Sequence, residues 1–150
     1  MYTTEQEQQI IDQALAILTS RLKVKNKPLS NAQMVKSFLR LHLEQKEREH
    51  FSVMFLDTKN RLIEYQIMFM GTIDSATISP REVVKMALQL NARSVIVAHN
   101  HPSGDATPSQ QDINVTKLLI SALELVEIKL LDHMVIGHNE IISLSEEHLM

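Results

Sequence analysis

The 150-residue sequence contains no cysteine, and this absence limits the kinds of site that the chain can build. No disulfide framework can stabilise the fold, and no cage of thiolates can hold a zinc ion. Any bound metal must therefore be held by histidine, aspartate or glutamate side chains. The lack of cysteine also fits a cytoplasmic protein, which is the location we expect.

Signals of secretion, membrane insertion and general DNA binding are also missing. No apolar run approaches the roughly 20 residues that cross a bilayer, so no membrane partner is expected. The N-terminal sequence MYTTEQEQQII lacks the basic start and apolar core of a signal peptide. The net charge of −3 gives no general attraction to nucleic acid. A composition of 44% hydrophobic and 22% charged residues instead indicates an ordinary globular protein.

Two amphipathic helices are predicted in residues 1–46, which we interpret as a helical extension before the main domain, residues 47–150. The first helix spans residues 4–21 and begins with a capping box of Thr4 and Glu7. The second opens at Pro28 and Ser30, and the basic segment between them is interpreted as a solvated loop, with DNA contact as the alternative. The predicted apolar faces are Ile10, Ala14, Ile17, Leu18 and Leu22 in the first helix, and Met34, Phe38 and Leu41 in the second.

The main domain alternates between strand and helix patterns, which predicts a mixed α/β (α+β) fold. A hairpin comes first, and a capped helix follows it from Ser79 and Pro80 to about Asn91. A second helix begins at Thr107 and Pro108, with Leu118, Leu119, Ala122 and Leu125 as its apolar face. The predicted strands are residues 51–57, 62–70, 77–78, 94–98, 128–136 and 140–144.

Two histidines and a carboxylate stand out in the segment AHNHPSGDATPSQQD, residues 98–112. His99 and His101 follow a short apolar strand, where side chains two apart point to the same side, about 7 Å apart at their Cα atoms. Asp112 follows across a loop, in the first turn of the next helix. Imidazole and carboxylate suit a zinc-type ion, and three protein ligands leave a fourth position for water. The spacing therefore predicts an open, catalytic metal site.

Hydrolysis of an amide also needs a proton shuttle and a group that stabilises the oxyanion. Glu49, at the edge of the first predicted strand, is the preferred shuttle, while Glu47, Glu64 and Glu82 compete with it. Ser109 has a hydroxyl suited to an oxyanion, although a polar residue in the first turn of a helix is also ordinary.

The histidines and the acid belong to a longer motif, HNHPSGD followed by PSQQD. This motif resembles that of the JAMM (MPN-plus) metalloproteases, and in particular their RadC-like branch. Similar features extend over about residues 47–143. The resemblance implies a mixed α/β sandwich of the cytidine-deaminase-like kind, with Zn²⁺ held by His99, His101 and Asp112. It also implies that Glu49 is the general acid/base and Ser109 the oxyanion donor.

The leading functional hypothesis is a zinc-dependent peptidase or isopeptidase that acts on a peptide or protein. RadC proteins commonly carry an N-terminal helix-hairpin-helix region, and residues 1–46 contain no glycine hairpin of that type. The chain therefore resembles a short form without that region. A DNA-repair factor or nuclease is an alternative function, and a non-catalytic partner-binding scaffold is another. The N-terminal helices are also candidates for homodimer formation.

The remaining histidines are interpreted more simply. His133 lies in an apolar strand, where a hydrogen bond to a ligand or to the fold is favoured over a fourth metal ligand. His42, His50, His138 and His148 are predicted to be surface residues.

Overall fold

The computed structural model describes residues 1–23 and 32–150. The helices are α1 (Thr4–Leu22), α2 (Ala32–Leu43), α3 (Pro80–Gln89) and α4 (Gln110–Glu124). The strands are β1 (His50–Leu56), β2 (Leu62–Met70), β3 (Ser94–Asn100), β4 (Lys129–Ile136) and β5 (Ile141–Ser143). The helix start predicted at Ser30 lies outside the described residues.

The strands form one mixed sheet in the order β2-β1-β3-β4-β5. β1 pairs antiparallel with β2 and β3, whereas β3 and β4 are parallel. The parallel pair is joined through α4, as a parallel pair requires a crossover connection. β3 is buried along its whole length, in keeping with its apolar run from Val95 to Ala98.

Helices cover both faces of this sheet, so the predicted α+β architecture is confirmed. Alternate residues of β1 and β3 point to opposite faces, as the pleat of a strand requires. On one face, β1 and β3 pack against α3 and α4 through Phe51, Val53, Phe55, Val83, Ala87, Val95, Val97, Val115 and Leu119. On the other face they pack against α2 and the end of α1 through Leu22, Val35, Phe38, Leu39, Leu43, Met54, Leu56, Ile96 and Ala98.

α2 shares this second hydrophobic cluster with the sheet. It therefore packs on the sheet as α3 and α4 do, although it belongs to the predicted N-terminal extension. The division of the chain at residue 46 stays a prediction. Within the part of the chain that the structure describes, no helix is both long enough and apolar enough to cross a bilayer.

The apolar faces predicted for two helices are partly wrong. In α1 the exposed residues include Ile10 and Ile17, and Leu22 is the residue that becomes buried. In α4, Leu118 and Leu125 are exposed. The buried face of α4 instead consists of Asp112, Val115, Thr116, Leu119 and Leu123. Two of these five residues are polar, so the pattern of apolar residues alone predicts the wrong side of α4 to be buried.

Local hydrogen bonds account for two further corrections. The capping box of α1 is formed by Thr3 and Gln6, one residue earlier than predicted. The short strand predicted at residues 77–78 is a turn, because the Asp74 side chain accepts hydrogen bonds from the backbone N–H groups of Ala76 and Thr77. An aspartate that bonds to the backbone two residues ahead is a common turn former.

His42, which was predicted to lie on the surface, is half-buried. Its ring stacks on Tyr65 with centroids 4.3 Å apart, and it meets the edge of Phe38 at 4.6 Å. Burial, with a smaller contribution from the charge of Lys46, lowers the pKa of His42 to about 4. By contrast, His138 and His148 are exposed as predicted, and His50 is half-buried.

We expect His42 to make the fold less stable in mild acid. In the unfolded chain its ring takes up a proton near the ordinary histidine pKa of 6.5, whereas folded His42 stays neutral down to about pH 4. The contribution of neutral His42 to the free energy of unfolding is therefore complete above pH 6.5 and is lost as the pH falls towards 4. After allowance for solvent screening, the loss should be about 1–2 kcal/mol.

Urea unfolding at pH 7.5 and pH 4.5, with a chelator present, measures this effect as the difference between the wild type and His42→Phe. His148→Phe is the control, because His148 is exposed. The interpretation of His42 fails if the wild type and His42→Phe lose equal stability between the two pH values.

Candidate metal centre

His99, His101 and Asp112 meet at one end of β3, against the start of α4. His99 Nε2 lies 3.1 Å from His101 Nε2 and 3.2 Å from an Asp112 carboxylate oxygen. His101 Nε2 lies 3.1 Å from the other carboxylate oxygen. Each residue offers one ligand atom, and these atoms lie within 4.8 Å of one another. Among the described residues, the three side chains form a candidate metal site.

The position of each side chain follows from its element. His99 continues the row of Val95 and Val97, so it points to the face covered by α4 and is fully buried. His101 comes just after β3, where its backbone N–H still donates to the carbonyl of Ile136 in β4. The sheet thus holds both histidines beside the first turn of α4.

Asp112 is held by the cap of α4. Ser109 is the N-cap residue, and its hydroxyl accepts a hydrogen bond from the Asp112 N–H at 3.0 Å. In return the Asp112 carboxylate accepts from the Ser109 N–H at 2.8 Å. A carboxylate is favourable in the first turn of a helix, because that end carries partial positive charge. α4 therefore begins at Gln110, later than the predicted Thr107, and its capping box fixes the carboxylate.

The second nitrogen of each ligand histidine has a partner. His101 Nδ1 lies 2.8 Å from the carbonyl oxygen of Asp105, which can only accept, so Nδ1 carries the proton. His99 Nδ1 lies 2.8 Å from Nε2 of the buried His133. The prediction that His133 makes a hydrogen bond is confirmed, and His133 lies outside the group of three candidate ligand residues. Histidines that bind metals usually donate from their other nitrogen in this way.

The charges in the site favour an ionised Asp112. Burial alone would raise the pKa of its carboxyl group, but hydrogen bonds from His101 and His99 outweigh burial and hold the pKa well below the usual value. The hydrogen bond to Asp112 raises the pKa of His101, against burial and with help from the charge of Glu49. Burial lowers the pKa of His133 well below its usual value.

This donor set fits a divalent metal ion. Two imidazole nitrogens and one carboxylate suit a zinc-type ion, and three protein ligands leave a coordination position open. His101 Nδ1 donates to the Asp105 carbonyl oxygen, so Nε2 is the nitrogen that faces the Asp112 carboxylate oxygen, 3.1 Å away. A metal ion bound there would take the place of the Nε2 proton that His101 donates to Asp112 when its ring is protonated.

Glu49 lies beside this group but outside it. It lies two residues before Phe51, which pairs with His99, and it is close enough to His101 for its charge to act on that ring. Its carboxylate accepts a hydrogen bond from the Ile73 N–H at 3.0 Å. An open cleft of about 580 Å³ adjoins it, lined by Glu47, Arg48, Glu49, Met70, Gly71, Thr72 and Pro102.

The competing carboxylates occupy different places. Glu47 shares the cleft with Glu49. Glu64 lies within β2, opposite Phe55, and Glu82 lies in the first turn of α3. Ser109 is exposed, and its hydroxyl caps α4, which is the ordinary role of a serine at that position. The roles of Glu49 and Ser109 in the reaction stay predictions.

Two buried polar residues near the site are not identified by the sequence pattern. Thr116, one turn after Asp112 in α4, donates to the Asp112 carbonyl oxygen at 2.7 Å and lies 2.6 Å from His133 Nδ1. Asn100 lies between the two ligand histidines but points to the opposite face of the sheet. The one sequence signal that could have identified them is a polar residue at a position where the pattern otherwise predicts buried residues.

Asn100 anchors the segment that carries Glu49. Its side-chain oxygen accepts from the His50 N–H at 2.7 Å. Its amide donates to the carbonyl oxygens of Lys46 at 3.2 Å and Arg48 at 2.9 Å. Because these bonds bracket residue 49, the side chain of Asn100 holds Glu49 at the mouth of the cleft.

We expect Asn100→Ala to destabilise the fold by about 1–3 kcal/mol, because it removes a buried side chain and leaves three partly buried backbone groups without this partner. Urea unfolding in the presence of a chelator measures the change. Asn114→Ala is the matched control, since Asn114 is exposed and accepts a hydrogen bond from Gln110 within α4. Equal losses in the two variants would contradict the anchoring role.

The fold and the site together define a class of protein: a mixed α+β domain with a His-His-Asp candidate metal site. The model of the RadC-like JAB domain family matches residues 29–149. The chain therefore belongs to the RadC-like JAB domain family, within the JAMM/MPN group, and the sheet flanked by helices is consistent with that fold.

Several relatives are similar to this chain over most of its length. A UPF0758 protein of Marinomonas sp. strain MWYL1 is 54% identical over 121 residues, which cover 81% of this chain and 54% of that protein. The UPF0758 protein YkfG of Escherichia coli K12 is 43% identical over 147 residues, or 98% of this chain and 93% of that protein. A UPF0758 protein of Vibrio cholerae is 48% identical over 132 residues, 88% of this chain and 83% of that protein. The chain thus spans about half of the Marinomonas protein but most of the other two.

Proposed function

We propose that the protein is a zinc-dependent metallopeptidase or isopeptidase that hydrolyses an amide bond. The observation that carries this proposal is the convergence of His99, His101 and Asp112 within 4.8 Å beside an open cleft. Membership of the JAMM/MPN group, which often has metal-dependent hydrolase activity, supports the same class of reaction.

His99 and His101 would hold the ion through Nε2, and Asp112 through its carboxylate. A bound zinc ion supplies Lewis acidity and lowers the pKa of a water molecule from 15.7 to about 7. Burial of His99 and Asp112 limits competition from solvent, while the partial exposure of His101 leaves the site open towards the cleft.

Glu49 is the residue proposed to move the proton. As water adds to the amide carbonyl carbon, the Glu49 carboxylate accepts a proton from that water. When the C–N bond breaks, Glu49 gives the proton to the leaving amine nitrogen. Its place at the wall of the cleft, near enough to His101 for its charge to act on that ring, supports this assignment, and general acid/base catalysis of this kind contributes about 10²–10⁴-fold.

Ser109 is the residue proposed to stabilise the oxyanion. Its hydroxyl accepts from the Asp112 N–H, so its own proton remains free to be donated to a developing negative charge. The cap that fixes Asp112 would thus also fix this donor.

An extended peptide is the substrate that best suits the cleft. β2 lies at an edge of the sheet, and the cleft reaches its last residue, Met70, which is 59% exposed. An extended peptide can add to a sheet edge as a further strand, with main-chain hydrogen bonds along its length. On the acyl side of an isopeptide bond, an extended C-terminal tail meets the same requirement.

The test is to incubate the zinc-loaded chain with a library of unstructured peptides and isopeptide-linked conjugates in water enriched in ¹⁸O. We expect cleavage that a chelator abolishes and zinc restores, with one ¹⁸O atom in each new carboxyl group. Zinc binding without cleavage would favour the partner-binding scaffold. Metal-dependent cleavage of DNA, with peptides left intact, would favour the nuclease.

A further inference from the structure

We propose that Thr116 and His133 are positioning residues that fix the tautomer of His99, so that its Nε2 lone pair faces the metal position. The hydrogen bonds run from His99 through His133 and Thr116 to the backbone carbonyl of Asp112. This inference rests on the metal site of the proposed function.

The direction of donation along this series of hydrogen bonds is set by the Asp112 carbonyl group at its end. The carbonyl oxygen of Asp112 can only accept, so the Thr116 hydroxyl, 2.7 Å away, must donate its single proton there. The Thr116 oxygen is then an acceptor for His133 Nδ1, at 2.6 Å. His133 Nδ1 must therefore carry a proton.

The position of the proton on His133 in turn determines which nitrogen of His99 donates to it. His133 is fully buried, and its two ring nitrogens bond to a hydroxyl and to another imidazole, with no carboxylate to balance a charge on the ring, which disfavours a doubly protonated ring. Its Nε2 is then a lone pair, which accepts a hydrogen bond from His99 Nδ1 at 2.8 Å. Because His99 Nδ1 donates to His133, Nε2 is the nitrogen of His99 that is left to bind a metal ion, and it faces Asp112 and His101.

The two ligand histidines are thus oriented by different means. His101 donates directly to a backbone carbonyl, whereas His99 reaches one through two intermediate side chains. That carbonyl belongs to Asp112, the third candidate ligand. A change at Thr116 would therefore act on the metal site although Thr116 is not itself a ligand.

Thr116→Val and Thr116→Ser form a matched pair for the test. Valine keeps the shape of threonine but removes the acceptor for His133 Nδ1, so His133 is free to place its proton on Nε2. That proton would oppose the one on His99 Nδ1. Serine keeps the hydroxyl and should preserve the series of hydrogen bonds from His99 to the Asp112 carbonyl.

Two readouts apply to the full chain. The zinc dissociation constant, measured against a competing chelator, should rise about 10–100-fold in Thr116→Val and stay within about twofold of the wild type in Thr116→Ser. In the zinc-free protein, the ¹⁵N shifts of labelled histidines should place the His133 proton on Nδ1 in the wild type and in Thr116→Ser. In Thr116→Val the proton should move towards Nε2.

Ser52→Ala is the control for the loss of a buried hydroxyl, since Ser52 is buried and donates to the Ala98 carbonyl oxygen on β3. It should leave the zinc dissociation constant unchanged. The inference is overturned if Thr116→Val binds zinc like the wild type, or if Thr116→Ser weakens binding as much as Thr116→Val. A wild-type chain that binds no zinc would overturn the proposed function instead, while the histidine shifts would still decide the direction of the hydrogen-bond chain.

Discussion

Asp112→Asn is expected to reduce bound zinc from about one ion per chain to nearly none, with affinity lowered by more than about 100-fold. The substitution removes the negative charge that balances the cation and leaves an amide oxygen, which is a poor zinc ligand. It keeps an oxygen acceptor for the Ser109 N–H, so the cap of α4 should survive. Zinc retained after dialysis, measured by mass spectrometry, reports the stoichiometry, and competition with a chelator reports the affinity.

Asp105→Asn is the matched control for this variant. Its carboxylate lies in the same loop and is exposed, but it bonds to Thr107 and contributes no atom to the ligand group. Zinc binding should be unchanged in Asp105→Asn. An Asp112→Asn protein that keeps a full equivalent of zinc at wild-type affinity would exclude the proposed ligand set.

Glu49→Gln is expected to separate binding from catalysis. Zinc affinity should remain within about threefold of the wild type, because Glu49 is not among the grouped ligand residues. The rate of peptide cleavage should fall by about 10²–10⁴-fold, since glutamine cannot take up the proton from water. Glutamine keeps an oxygen that can accept from the Ile73 N–H, so the local backbone should be preserved.

Glu47→Gln is the control for the loss of a carboxylate from the same cleft. It should cleave peptides at close to the wild-type rate. If Glu47→Gln is the inactive variant and Glu49→Gln is active, the proton shuttle has been assigned to the wrong residue of the cleft.

The grouping of His99, His101 and Asp112 could be predicted from the sequence because their geometry is mostly local. Two histidines at a spacing of two fall on one side of an extended chain, and a capping residue fixes where the next helix begins. Ser109 supplies that cap, so Asp112 falls in the first turn of α4. These relations need no knowledge of the strand order.

The side of α4 that is buried could not be predicted from its apolar residues. Leu118 and Leu125 match a helical face, yet both are exposed, because Asp112 and Thr116 occupy the buried side. Polar residues are buried here because they have hydrogen-bond partners within the site. An apolar pattern carries no information about such partners.

The same limit explains why Asn100 and Thr116 were missed. Their partners are distant in the sequence: Asn100 bonds to residues 46–50, and Thr116 to His133. Such contacts depend on the order of strands in the sheet, with β1 and β4 on either side of β3. The prediction for His133 succeeded because a histidine in an apolar strand needs a partner, even when that partner cannot be named.

The most direct test of the metal site is anomalous diffraction at the zinc absorption edge, from crystals of the full chain grown with zinc. We expect one strong peak about 2.0–2.2 Å from Nε2 of His99, Nε2 of His101 and a carboxylate oxygen of Asp112. A peak bound by other residues, or no peak at these three side chains, would contradict the metal-dependent mechanism.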